Sequence, residues 1–201
     1  MMPSANVSRE TIARLKQYEE TLIKWNPKIN LVAKSTIGSF WERHIEDSLQ
    51  LFERIPAATE RLVDMGSGGG FPGLVIAISS TETTNPATTT LIESDHRKVA
   101  FLRTVLRESE TQAKLVTGRI ETVEPTAADV LTARALANLS QLLKYSERHL
   151  APNGRCLFLK GKNWREEVRL AQEAWQFRWN AVESKTNPEA VLLEIGEISR
   201  V

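Results

Sequence analysis

Asp64-Met65-Gly66-Ser67-Gly68-Gly69-Gly70-Phe71-Pro72-Gly73 is the stretch on which the reading of this chain turns. The residues leading into it, Arg61-Leu62-Val63-Asp64-Met65, form a short apolar run that predicts a strand. Residues 71–78 are apolar again and predict a helix with Pro72 in its first turn, where a missing N–H is tolerated. Strand, glycine cluster and helix in that order form a ligand-binding corner of open α/β sheets, beyond the carboxyl ends of the strands. Glycines there let the backbone approach a ligand closely and take positive φ.

Outward from this corner the chain alternates. Thr89-Thr90-Leu91-Ile92 predicts a second strand ending at Glu93, and Val99, Leu102, Val105 and Leu106 mark an amphipathic helix. Residues 114–117 predict a third strand and 129–132 a weaker fourth. Leu136, Leu139, Leu142, Leu143, Ser146 and Leu150 lie on one helical stripe, Asn153-Gly154 predicts a turn, and 155–160 a fifth strand. A helix at 164–173 and strands near 177–182 and 191–195 complete the pattern. Repeated β-α-β units imply a parallel sheet with helices on both faces, and the late pair admits one antiparallel strand. The expectation is an α/β, Rossmann-like, mostly parallel seven-stranded sheet.

Toward the N-terminus, Ile12, Leu15, Glu19 and Leu22 share one face of a helix that Pro27 is expected to stop. A second helical segment is expected at 39–52. Residues 1–56 are thus read as a helical extension packed on a core of residues 57–201, one structural domain overall. The Thr-rich stretch 79–90 reads as a polar loop.

Composition narrows the class. With 26 Lys and Arg against 25 Asp and Glu, there is no global pull toward a polyanion, which leaves room only for a local basic face. A single cysteine, Cys156, excludes an intramolecular disulfide framework and a Cys-rich zinc site, and fits a reducing cytoplasm. No metal is expected. The first ten residues lack an apolar core of the signal-peptide kind, and no apolar run is long enough to span a membrane. The expected location is cytoplasmic, with no membrane partner and no obligate protein partner.

The identity of the ligand follows from the loop. A dinucleotide fingerprint needs G-x-G-x-x-G. Read from Gly66, the third glycine is replaced by Phe71; read from Gly68, Phe71 and Pro72 fall where a helix must meet a pyrophosphate. Asp-x-Gly-x-Gly-x-Gly fits better and resembles motif I of class I methyltransferases, whose ligand, S-adenosylmethionine, has no pyrophosphate. Glu93 ends the second strand 29 residues after Asp64, where a carboxylate can accept from both ribose hydroxyls. Asp64 is read either as orienting the cofactor's methionine end or as a structural prop for the loop.

Further residues carry a closer resemblance. Trp25-Asn26-Pro27-Lys28-Ile29-Asn30-Leu31, His44-Ile45-Glu46-Asp47-Ser48-Leu49, the glycine loop, Gly118-Arg119-Ile120-Glu121, Ala133-Arg134-Ala135 and Leu159-Lys160-Gly161 occur in order. This set is similar to the small-subunit rRNA guanine-N7 methyltransferases, also called glucose-inhibited division protein B, over roughly residues 18–201. The resemblance implies methylation of N7 of a guanine in 16S rRNA. It also implies cofactor contacts from Gly66, Gly68 and Phe71, with Ile120 and Glu121 by the adenine and Arg134 reaching the bound ligand.

Guanine N7 carries a lone pair and no proton, so its methylation requires positioning and no general base. Arg134, Lys160, Asn30 and His44 are the candidates for positioning the substrate. Lys28, Arg119, Lys160 and Lys162, with Lys24, Lys34 and Arg43, are candidates for RNA phosphates. His44 and Asp47 read as an i, i+3 pair anchoring the N-terminal helices, and His96 and His149 show no partner pattern. Cys156, in a strand, reads as packing. Trp164, Trp175 and Trp179 read as packing in preference to base stacking. The alternatives are a small-molecule methyltransferase on the same cofactor domain, and a nucleotide-binding regulatory module or dehydrogenase, against which Phe71-Pro72 counts.

Overall fold

The structure is a computed structural model that describes residues 7–83 and 85–201. A long first helix, α1 (Arg9–Ile29), begins at Ser8, whose hydroxyl accepts the N–H groups of Glu10 and Thr11. Its inward face is Thr11, Leu15, Tyr18, Leu22 and Asn26, one step round from the face expected. Pro27 does not stop it. The helix runs on to Ile29 and ends at Asn30, which takes the left-handed conformation at φ 49°. So close to the end, the proline forfeits one backbone bond, and the Asn26 side chain replaces the lost order by accepting the N–H groups of Leu31 and Val32. A 3₁₀ turn (Lys34–Ser39), a wide π turn (Trp41–Glu46) and a short helix α2 (Asp47–Phe52) follow, so the second helical segment is present but irregular.

Seven strands then alternate with helices: β1 (Arg61–Met65), α3 (Gly73–Ser80), β2 (Thr88–Glu93), α4 (His96–Glu108), β3 (Lys114–Thr117), β4 (Ala128–Arg134), α5 (Leu139–His149), β5 (Leu150–Lys160), α6 (Trp164–Ala171), β6 (Trp175–Glu183) and β7 (Val191–Arg200). The sheet order is β3-β2-β1-β4-β5-β7-β6, with β7 antiparallel to both neighbours and the other pairings parallel. Side-chain alternation divides the core. Val63, Met65, Ile92, Leu131 and Phe158 pack with α5 and α6 on one face. Leu91 on the other face packs with α1, α3 and α4, while Leu62 and Leu157 meet Leu51 and Ile76.

Local departures have simple causes. The Thr-rich stretch is shorter as a loop than expected, because Ser79 and Ser80 finish α3 and Thr88 to Thr90 join β2. Asn153-Gly154 is no hairpin turn. It lies in a bulge of β5, where the register passes from Ala128 opposite Leu150 to Val130 opposite Arg155. Leu136 and Leu150 lie just outside α5. Cys156 is buried among the core residues and donates to Ser146 Oγ, and burial pushes its thiol up to about 12.

Candidate active site

The carboxyl ends of β1 and β2 and the turn after β3 converge on a pocket of about 360 Å³. Its floor is the glycine loop. Gly66, Gly68 and Gly70 all have positive φ, and a Cβ on Gly66 would come within 2.5 Å of the Leu136 side chain. Glycine holds that backbone without strain, and any other residue there would also have to displace the Leu136 side chain. Phe71 closes one side and is joined to Pro72 by a cis peptide bond.

Glu93 is buried on the pocket wall. One carboxylate oxygen accepts the N–H groups of Ser94 and Asp95 at 2.7 and 2.8 Å, and the other accepts the Gly68 N–H at 2.8 Å. A carboxylate has about four lone-pair sites, so one remains for a ligand hydroxyl unless the Gly68 N–H gives way. Ile120 and Glu121 line the same pocket, the latter holding the Tyr145 hydroxyl at 2.7 Å. Behind Ile120, the buried His149 donates from Nε2 to the Ile120 carbonyl at 2.8 Å, a partner that its sequence neighbourhood does not betray. Arg119 reaches the rim, and Lys98 and Tyr145 are lining residues that sequence reasoning missed.

Asp64 stands apart from these. It is fully buried beneath the loop, accepts from Thr132 Oγ1 at 2.8 Å through Oδ1, and leaves Oδ2 without a partner. Burial raises its pKa to about 6, outweighing the Thr132 hydrogen bond and the Arg134 charge. The Asp64 carboxylate lies beneath the β1–loop junction and is not among the residues that line the pocket.

Arg134, at the end of β4, lies on the wall between this pocket and a second cavity of about 750 Å³. Its guanidinium lies 4.6 Å from the Phe71 ring centre and donates to His44 Nδ1 at 2.9 Å, to the Arg43 carbonyl at 3.1 Å and to Asp47 at 3.4 Å. The expected His44–Asp47 pair is thus not formed. Both residues grip Arg134 instead, His44 from the π turn and Asp47 from the first turn of α2. His44 stacks on Phe71 at 4.9 Å, and its Nε2–H donates to Thr36 Oγ1 at 2.9 Å. Burial, with Arg134 and Arg43 nearby, lowers its pKa to about 3.

The second cavity is bounded by the N-terminal turns, by Asn138, by Lys160 and by the β6–β7 connection at Thr186 and Asn187. Lys160 Nζ donates to the Ala137 carbonyl at 2.9 Å and pairs with Glu167 at 2.6 Å. Asn30 is exposed as the cap of α1 and lines neither cavity. Lys24, Lys28, Lys34 and Lys162 are exposed and line neither cavity, while Arg43 lines the second. A residue that the motifs did not mark is Tyr18. It is fully buried, its hydroxyl donates to the Gly69 carbonyl, and its ring leans on Phe71 at 5.5 Å. The signal was its place on the helix face of Leu15 and Leu22.

Comparison with known proteins bears on this geometry. The family described as rRNA small subunit methyltransferase G matches residues 11–191. The chain belongs to that family. It is similar to the ribosomal RNA small subunit methyltransferases G of Ruegeria pomeroyi, at 47% identity over the whole of both chains, and of Rhodospirillum centenum, at 49% over 96% of this chain and 87% of that one. In fold it is similar to a SAM-dependent methyltransferase from Aquifex aeolicus, with TM-score 0.60 at 12% identity over 78% of this chain and 92% of that one. Its fold is therefore the Rossmann-like class I methyltransferase fold, and in this methyltransferase G family member the cavity pair lies at the carboxyl ends of β1, β2 and β4.

Proposed function

We propose that this chain transfers the methyl group of S-adenosylmethionine to N7 of a guanine in 16S rRNA. The observation that carries the reading is the two-cavity site, in which a glycine-floored pocket meets a second cavity of mixed polar and apolar lining at Arg134. The first fits the donor. Its volume lies in the range of small-molecule sites, roughly 300–1,000 Å³. Gly66, Gly68 and Phe71 would hold the donor's middle, Glu93 a ribose hydroxyl, Ile120 and Glu121 the adenine, and Arg134 the carboxylate of the methionine end. Asp64 would act only by fixing the loop.

Bound S-adenosylmethionine supplies a methyl group on a sulfonium sulfur. Guanine N7 would take that methyl with its lone pair, the sulfur keeping the electrons of the S–C bond, and no proton would have to leave. The site agrees with that requirement. The lone pair of His44 Nδ1 is committed to Arg134 and its Nε2–H to Thr36, so His44 positions the wall and is no base. Lys160 and Asn138 would face the base in the second cavity, and residues between Leu31 and Asp47 form its outer wall. Arg119, at the rim of the first pocket, and Lys28 and Lys162, on the outer surface, would hold phosphates of the RNA.

The test uses tritiated S-adenosylmethionine with 30S subunits and with free 16S rRNA from a strain lacking the activity. Label on a single guanine N7, located by borohydride–aniline cleavage, is the expected result. Donor binding without transfer to either RNA would shift the acceptor to a small molecule.

A further inference from the structure

Of the three tryptophans near the C-terminal half of the sheet, two are packed away and one is not. Trp164 and Trp175 are buried, the latter under the Arg200 guanidinium. Trp179 is 41% exposed on β6, the edge strand of the sheet. It meets Trp164 edge to face at 6.0 Å. Arg165 lies over the other tryptophan of that pair, 4.4 Å from the Trp164 ring centre. Among the described residues neither Arg165 nor Lys162 has an acidic partner. Lys162 follows directly in the chain on Lys160 and Gly161, which line the second cavity.

We infer that Lys162, Arg165 and Trp179 form a track for the single-stranded RNA that flanks the target base. This rests on the proposed RNA substrate and extends it to a surface outside both cavities. An exposed indole offers a π face to any base, and cations beside it meet the phosphates, the combination by which proteins hold single strands without reading sequence. One buried tryptophan sets the exposed one: Trp164 meets the Trp179 ring edge to face, and Trp179 remains 41% exposed. A nucleotide stacked there would fix the strand while the target guanine enters the cavity, as extrusion of a base requires.

The test is binding and transfer with Trp179→Ala, Trp179→Phe and the double variant Lys162→Ala/Arg165→Ala. Filter binding to 16S rRNA and to 30S subunits reads the RNA affinity, and calorimetry with S-adenosylmethionine reads the donor site. Trp179→Ala is expected to weaken RNA binding and raise the KM for RNA roughly tenfold, the scale of one base–aromatic stack. Donor affinity and the kcat at saturating RNA should not change, and Trp179→Phe should recover most of the loss. The double variant should flatten the salt dependence of binding by close to two charges. RNA affinity unchanged in all variants overturns the track. So does a fall in molar mass of Trp179→Ala by light scattering, which would make this edge a contact between two copies. Filter binding scores the track even if no methyl group is transferred, so its failure and that of the proposed reaction are separable.

Discussion

Arg134 and Tyr18 hold Phe71 from its two neighbours' sides, and through Phe71 they hold the glycine loop. The Tyr18 hydroxyl fixes the direction of the Gly69 carbonyl, and a Cβ on Gly70 would meet that hydroxyl at 2.7 Å. Tyr18→Phe keeps the ring and orphans the carbonyl, a loss on the order of 1–3 kcal/mol. It should raise the Kd for S-adenosylmethionine several-fold and leave kcat nearly unchanged, as calorimetry and steady-state kinetics would show; a lower Tm with unchanged Kd would make Tyr18 structural only. His44 makes a prediction about pH. Its folded pKa, about 3, lies below its ordinary value of about 6.5, so the unfolded chain binds the extra proton across that window. Stability from this residue is therefore full above about pH 6.5 and is lost as pH falls toward 3. The buried Asp64 works in the opposite sense: with its pKa raised to about 6, the folded chain holds its proton longer, and stability from it falls as pH rises from about 4 through 6. Replacing His44 by Asn should flatten the acid side of a Tm-versus-pH curve, and the wild-type rate profile should show no His44 inflection near neutrality.

At the scale of elements, the close approach of α3 to β1 is what aims the loop. A Cβ on Gly73 would fall 2.4 Å from the Asp64 Cβ, a backbone-anchored atom that cannot swing aside. Gly73→Ala should therefore destabilise the fold by about 1–3 kcal/mol through overpacking. Gly196 on β7 has nothing within 4 Å of its Cβ position, and Gly196→Ala should leave Tm within the range of ordinary surface substitutions. Equal Tm losses in the two would remove the helix–strand argument. The irregular turns between α1 and α2 matter at the same scale. The π turn ends where α2 begins, and His44 from the one and Asp47 from the other both meet Arg134.

For the whole molecule, a formal net charge of +1 makes any attraction to RNA a matter of local placement. RNA affinity should still fall steeply with salt, because each phosphate contact releases condensed counterions, and a flat response in filter binding would remove Lys28, Arg119 and Lys162 from that role. Much of the molecule was legible in the amino-acid order. Alternation of short apolar runs with helical stripes announced the seven strands, since period and length are local properties. The glycine cluster at 66–70, with Glu93 ending the next strand, marked one corner of the site, since a parallel sheet brings successive strand ends to one edge. Pro27 and Asn153-Gly154 were misjudged because a side-chain clamp from Asn26 and a bulge in β5 outweigh local propensity. What only the tertiary structure decided is the set of contacts between distant segments: Tyr18 under Gly69, His44 and Asp47 on Arg134, His149 behind Ile120, and Asp64 withdrawn from the pocket. The hydrogen-bonded partners among these lie between 29 and 90 residues apart in the chain. Local period and propensity do not reach that far, and packing into one core does.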